Sequence, residues 1–486
     1  MKSAQEYTDS IRGLRREAYI LGKRVEHPAD HPMIRPSLNA VAATYALAAD
    51  PEHAALATAT SHLSGKPVNR FTHIHQSPAD LVAKVKMQRV LGQKTATCFQ
   101  RCVGMDALNA LDSVTFEIDR AKGTDYHGRF NRFLRHVQED DLVCEGAMTD
   151  VKGDRGKRPS QQDDPDLFVH VVEERPDGIV VRGAKAHQTG ALNSHEIIVM
   201  PTMAMRPEDA DYAVSFAVPA DSPGLTFILG RQSSDTRKLE DGDMDVGNPR
   251  FGAQECLVVL DDVFVPWERV FMCGEHEFSG MLVERFAAYH RQSYGGCKAG
   301  VGDVLIGAAA KLAEYNGVKD AGHIRDKLVE MVHLNETLYS CGLACSTEGR
   351  PTASGAYLVD LLLANVCKLN ATRFPYEIGR LAEDIAGGLL VTLPSEADFR
   401  HPVTGPLMEK YLKGLSGVTT ECRLRMFRLV ENLTVGSAAV AYRTESAHGA
   451  GSPQAMRVVI ARQADLEKKK RLAEDLATGT KTGPKE

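Results

Sequence analysis

Residues 287–303 read AAYHRQSYGGCKAGVGD and put a histidine, a tyrosine, a thiol and a lysine into one short segment. On a helix His290, Tyr294 and Cys297 stand at i, i+4 and i+7 and share one face, with Lys298 about a quarter-turn away. Gly295 and Gly296 interrupt the same segment. Glycine inside a helix costs roughly 1 kcal/mol relative to alanine, so two in a row predict a close neighbour, a bend or a break. A lone His or Cys on a core helix is ordinarily inert. Here KTATCFQRCVGMDAL adds Cys98 and Cys102, four residues apart, which a helix would turn to one face. Three thiolates and one imidazole make a four-ligand set for an iron–sulfur centre or for zinc. YSCGLACS repeats the four-residue spacing with Cys341 and Cys345, so spacing by itself does not separate the two pairs.

Two carboxylates stand at apolar boundaries. Glu255 opens the run ECLVVL, and Glu445 lies beside His448 in TESAHGAGSPQ. Either position favours a retained proton and acid or base work, although an ordinary surface or capping carboxylate fits as well. Residues 146–158 gather Asp150, Lys152, Asp154, Arg155, Lys157 and Arg158. These suit a phosphate-bearing cofactor or a CoA tail, and equally a solvated loop. Lys185-Ala186-His187-Gln188-Thr189-Gly190 ends a predicted strand with polar donors. No Gly-x-Gly-x-x-Gly follows a predicted strand, and Walker A and His-Glu-x-x-His sequences are absent. A nucleotide cofactor is therefore not held by a Rossmann fingerprint.

The elements around these residues follow from periodicity. Residues 3–143 carry apolar positions at 3–4 spacing, as in SAQEYTDSIRGLRREAYILG and in the stretch from Ser77 through Cys102, and predict helices. Ser77 before Pro78 reads as an N-cap. From residue 144 a polar loop, GAMTDVKGDRGKRPSQQDDPD, leads into LFVHVVEE, GIVVRGAKAHQT, HEIIVMPT, YAVSFAVPA, LTFILGR and ECLVVLDDVFVP, which predict strands. After Trp267 long amphipathic helices return, ending with PQAMRVVIARQADLEKKKRLAEDLA and a frayed TGTKTGPKE tail.

A chain of 486 residues with 43% hydrophobic and 25% charged content is long enough for several domains and a large core. The net charge of −6 gives no reason to expect nucleic acid. No apolar run reaches membrane length and the N-terminus lacks a signal core, so a cytoplasmic protein is expected. Its ten cysteines are then expected as thiols or ligands.

TATCFQRCVGMDAL, MTDVKGDR, AHQTGALNSHEIIVMPT, DDVFVPWERVF, YHRQSYGGCK and ESAHGAGSPQA together resemble the 4-hydroxybutyryl-CoA dehydratase (vinylacetyl-CoA Δ-isomerase) family. MTDVKGDR and DVFVPWERVF are shared more widely, with flavin-dependent 4-hydroxyphenylacetate 3-monooxygenases. The Cys–Cys and His–Cys pairs single out the dehydratases. The resemblance implies an α+β multidomain, acyl-CoA dehydrogenase-like fold. Its parts would be an N-terminal helical domain (1–143), a central β domain (144–275) and a C-terminal helical bundle with a charged tail (276–486). It implies FAD and a 4Fe–4S cluster in each subunit of a homotetramer (a dimer of dimers) acting on an acyl-CoA. Cys98, Cys102, Cys297 and His290 would be cluster ligands; Tyr294, Lys298, Glu255 and Glu445 would be active-site residues. Gln100 lies between the cysteines and on a regular helix would point away from them. Flavin contacts would fall on Met148, Thr149, Asp150, Asp154 and Arg155, and on His187, Gln188, Thr189 and Gly190. Gly387 and Gly388 would reach a neighbouring subunit's flavin. The implied reaction is radical dehydration of 4-hydroxybutyryl-CoA to crotonyl-CoA, with isomerisation of vinylacetyl-CoA to the same product. A two-component flavin monooxygenase is the alternative, and a non-catalytic protein with a structural zinc or iron–sulfur site a third. The three cysteines discriminate against the monooxygenase, and the flavin and CoA loops against a structural role.

Overall fold

The computed structural model describes residues 1–479, so most of the TGTKTGPKE tail lies outside the described residues. All six strand-like runs form strands, in two sheets. One sheet has the order Lys23–Arg24, Glu17–Ile20, Leu225–Leu229, Glu255–Pro266, Gly178–Thr189, His170–Arg175. The other runs Val270–Cys273, Val214–Pro219, Glu196–Val199, Cys144–Ala147. Glu255 pairs directly with Thr189 across the first sheet, which sets the acid beside the polar strand end.

The N-terminal segment is less helical than its periodicity predicts. The helix Ala4–Arg12 stops at Gly13, and Glu17–Ile20 is a strand parallel to Leu225–Leu229. Ala18 and Ile20 are buried there while Glu17 and Tyr19 are only half-buried, a period-2 pattern that docking on the sheet selects.

The single helix expected across Cys98 and Cys102 does not form. Ser77 caps Pro78–Thr95 as expected, but that helix ends at Ala96, which takes φ 51°. Thr95 Oγ1 donates back to Leu91 O at 2.8 Å, the local bond by which threonine competes with the helix backbone. Asn248 Nδ2 takes the freed Thr95 carbonyl at 3.0 Å. Cys98 therefore lies in a loop, and Cys102 opens the next helix, Cys102–Lys122. The last charged stretch is also two helices, Pro453–Gln463 and Leu466–Thr478. Asp465, at φ 42°, divides them and caps the second through Lys468 N.

The helix His276–Tyr315 is the centre of the molecule, and residues 286–302 are buried on every side. The double glycine neither bends nor breaks it; it admits two neighbouring backbones. A Cβ on Gly295 would meet Gly342 Cα at 2.6 Å, and one on Gly296 would meet Val85 O at 2.5 Å. Gly300 continues the seam, with Arg89 O only 2.2 Å from its would-be Cβ. This close approach of Pro78–Thr95 and Gly322–Thr347 fixes which side chains face the reactive segment.

Candidate active site

Cys98, Cys102 and Cys297 converge from the loop, the start of Cys102–Lys122 and the central helix. Phe99, Cys102 and Cys297 share one small core with Met87 and Leu91. Gln88 Nε2 donates to Cys102 Sγ at 3.3 Å and to Ser293 Oγ at 3.0 Å, tying Pro78–Thr95 to both. Burial raises all three thiols: Cys297 is pushed up to about 11, and Cys98 and Cys102 well above the ordinary thiol value. Cys98 is partly exposed, whereas Cys102 and Cys297 are buried.

His290 stands on the same helix. Its Nδ1 donates to Asp106 Oδ2 at 2.8 Å, and its ring stacks on Phe286 with centroids 5.7 Å apart. Asp106 is itself held by Lys84 Nζ at 2.6 Å, both side chains being fully buried. Among the described residues no hydrogen bond engages Nε2. A histidine whose Nδ1 is fixed by a carboxylate presents the tautomer that ligates metal through Nε2.

Tyr294 sits edge-on to His290, centroids 5.4 Å apart. Lys298 Nζ donates to Ala441 O at 2.7 Å and to Glu445 Oε2 at 3.0 Å. Burial works against the Lys298 ammonium, but Glu445 and the nearby thiols outweigh it and keep its pKa above the lysine norm. Tyr294 is raised by burial and by Glu445, so its phenol stays protonated and donates to Glu445 O at 3.3 Å. A π-helical turn, Val440–Thr444, presents Glu445; such wide turns recur at functional sites. Glu255 accepts from Thr189 Oγ1 at 2.7 Å through one oxygen and leaves the other buried without a partner. Burial, and then Glu445's charge, push Glu255 well above the carboxylate range.

The helix on which Gln100 would point away from the thiols does not form at its position. In the loop, at φ 65°, Gln100 is buried and bridges elements. Its Nε2 donates to Gly252 O at 3.3 Å, and its Oε1 accepts from Asn193 Nδ2 at 2.8 Å. Only glycine fits at residue 190, because a Cβ there would strike Gln100 at 2.6 Å.

The two loop segments run side by side: Ala186 N donates to Thr149 O at 2.9 Å, and Gln188 Nε2 donates to the same carbonyl at 3.1 Å. Met148 and Asp150 are buried, Asp150 against Lys185. The Thr149 hydroxyl and the His187 ring remain accessible and make no hydrogen bond among the described residues. Asp154 and Arg155 are exposed, Asp154 bonding Gly156 N at 2.9 Å. Gly387 and Gly388 follow Phe374–Ala386 at the surface, facing open space and apart from the thiols.

Four groups escape the sequence patterns. Asp106 and Lys84 are charges on apolar helical stretches, and Lys368 is a lone lysine in LLLANVCKLN, now fully buried. A charge inside an apolar periodic run is the signal that could have found them. Glu145, buried near Glu255 and raised by burial and by that neighbour, gives no such signal on its short strand.

Among the described residues, only the surface set Asp50, Glu52 and His53 brings three ligating atoms within 4.8 Å of one another. The sulfur atoms of Cys98, Cys102 and Cys297 do not all lie within that distance of one another.

Models of the 4-hydroxyphenylacetate 3-hydroxylase N terminal and C terminal match residues 3–272 and 279–478. The 4-hydroxybutyryl-CoA dehydratase/vinylacetyl-CoA-Δ-isomerase of Clostridium aminobutyricum is 61% identical, covering 98% of this chain and 99% of that protein. The structure of an oxygen-tolerant archaeal 4-hydroxybutyryl-CoA dehydratase from N. maritimus has a TM-score of 0.97 and 59% identity, covering 100% of this chain and 96% of that one. The FAD complex of the 4-hydroxyphenylacetate 3-monooxygenase oxygenase component has the same fold, with a TM-score of 0.86 at 24% identity over 98% of each chain. The chain therefore belongs to the 4-hydroxyphenylacetate 3-hydroxylase family and, within it, to the 4-hydroxybutyryl-CoA dehydratase/vinylacetyl-CoA-Δ-isomerase group.

Proposed function

We propose that the chain dehydrates 4-hydroxybutyryl-CoA to crotonyl-CoA and isomerises vinylacetyl-CoA to crotonyl-CoA, with FAD and a 4Fe–4S cluster in each subunit. The observation that carries this reading is that Cys98, Cys102 and Cys297 come together from three elements at the helix that also carries His290, with Glu445 acting electrostatically on both Cys98 and Glu255. Those four residues would hold the cluster. Thr149, His187 and the paired backbone around them, with Met148, Asp150, Gln188, Thr189 and Gly190, would hold the flavin, and Asp154 and Arg155 its outer part. When bound, the cluster supplies a Lewis acid for the departing hydroxyl and the flavin a one-electron partner.

The rest falls to side chains. Forming a crotonyl thioester removes hydrogen from C2 and C3, expels the C4 hydroxyl and returns one hydrogen to C4. Such a site needs an acid and a base. Glu255 enters as the acid, because its raised pKa keeps a proton on an oxygen that has no other partner. Glu445, oriented by Lys298, and His290, oriented by Asp106, are the candidate bases. Burial excludes water from the radical stage.

We infer as well the acyl-CoA dehydrogenase-like arrangement divided at 1–143, 144–275 and 276–486, and a cytoplasmic homotetramer in which Gly387 and Gly388 approach a neighbour's flavin. No helix among the described residues is long and apolar enough to cross a membrane. The test is iron, acid-labile sulfide and flavin on anaerobically purified protein, followed by turnover of vinylacetyl-CoA and 4-hydroxybutyryl-CoA. About four iron, four sulfide and one FAD per chain are expected, with crotonyl-CoA formed from both substrates. Flavin without iron, and no crotonyl-CoA, would overturn the reading in favour of a monooxygenase.

A further inference from the structure

Lys368 lies on Leu361–Ala371 and is 0% exposed. Its Nζ donates to Ser446 O and stands 4.1 Å from the centroid of the Tyr294 ring. Lys298 Nζ approaches the same ring at 5.1 Å. Three side chains from two helices thus hold carbonyls of one turn: Lys298 takes Ala441 O, Tyr294 takes Glu445 O and Lys368 takes Ser446 O. A lysine with no exposure and one hydrogen-bonded partner is costly to bury, and an apolar residue would fill the same space at no such cost. Burial and the neighbouring Lys298 show the strain by pushing Lys368 down to about 7. As an amine or an ammonium it still donates to Ser446 O.

We propose that Lys368 is a positioning residue of this site, locking the turn that carries Glu445 against the Tyr294 ring. The proposal rests on the function inferred above for that site. Lys368 reaches the reaction through Glu445 and Tyr294, so its loss should lower turnover and leave the cofactors and the binding of the CoA portion in place.

The test uses full-length holoenzyme carrying Lys368→Met or Lys368→Arg. Iron and flavin content, kcat and KM for vinylacetyl-CoA, and amide hydrogen exchange across residues 440–450 are measured. In Lys368→Met, kcat is expected to fall about 100-fold, the effect of a misplacement near 1 Å. KM and iron should be unchanged and exchange faster across 440–450, but not across Gly322–Thr347. Lys368→Arg should recover part of both losses. Should Lys368→Met not fold, Lys368→Gln keeps an N–H donor without the charge and gives the same readouts. Wild-type kcat in the Met variant, or a loss of kcat with unchanged exchange across 440–450, overturns the proposal. A wild-type enzyme inactive on both thioesters defeats the functional reading instead, and the exchange result still decides whether Lys368 holds the turn.

Discussion

Cys98 and Cys102 lie four residues apart, as do Cys341 and Cys345, and each pair has one partly exposed and one buried thiol, yet the backbones that carry them differ. Cys341 and Cys345 ride on the unbroken helix Gly322–Thr347. There the helix satisfies its own thiol: Cys345 Sγ donates to Gly342 O at 3.2 Å in a fully buried setting, and Cys341 Sγ accepts from Asn370 Nδ2 at 3.6 Å. Cys98 and Cys102 straddle a break. Cys98 lies in the loop, and Cys102 packs with Cys297 and accepts from Gln88, both on other helices. A regular helix aligns two thiols but offers them its own carbonyls. A break frees them to meet a third thiol from another element, which a polynuclear centre requires.

The largest expected difference follows directly. Cys297→Ala should lose most of its iron and all measurable turnover, whereas Cys345→Ala should keep full iron and turnover at a stability cost of about 1 kcal/mol for a small cavity. Iron analysis and thermal unfolding of both variants check this. Equal iron loss from both would erase the distinction between the pairs.

Glu255 sharpens the comparison by separating the ligand ring from the acid. Glu255→Gln should keep its iron while kcat falls by about 10²–10⁴. The sign of the pH effect follows from the raised pKa: Glu255 keeps its proton to higher pH than an ordinary carboxyl, because burial and the charge of Glu445 disfavour its ionised form. Wild-type kcat/KM should therefore fall as pH rises through that ionisation, and the Gln variant should lack the limb. Rate profiles of the two proteins decide it, and an alkaline limb kept by the variant assigns the ionisation to another group.

The strands of the central sheet pair were legible because each is a short apolar or alternating run bounded by turn residues, as in GIVVRGAKAHQT. The face shared by His290, Tyr294 and Cys297 was legible because an unbroken helix keeps its period. The loop at Cys98 was not, because a Thr95 side-chain bond and a distant Asn248 end the helix, and neither is a periodic signal. Glu17–Ile20 fails for the same reason: its strand partner lies some two hundred residues away in sequence. Asp106, Lys84 and Lys368 have meaning only through contacts with other helices, so a pattern local to the chain leaves them as lone charges.

The smallest effect tests the packing that brings the thiols together, and it uses two glycines of one helix. Gly300 lies against backbone: a Cβ there would meet Arg89 O at 2.2 Å and Gly92 Cα at 2.9 Å. Gly307 has open space around it. Helix propensity favours alanine at both by about 1 kcal/mol. Gly307→Ala should therefore be more stable by about 0.5–1 kcal/mol. At Gly300 the same gain is opposed by overpacking worth about 1–3 kcal/mol, and neither backbone atom can rotate away. Gly300→Ala should be less stable than wild type, and it should bind less iron, because displacing Pro78–Thr95 carries Gln88 away from Cys102. Thermal unfolding and iron content of the two variants give both numbers. If Gly300→Ala gains stability as Gly307→Ala does, the close approach does not govern this face of the helix, and the spacing of the three thiols must be set by the Cys98 loop instead.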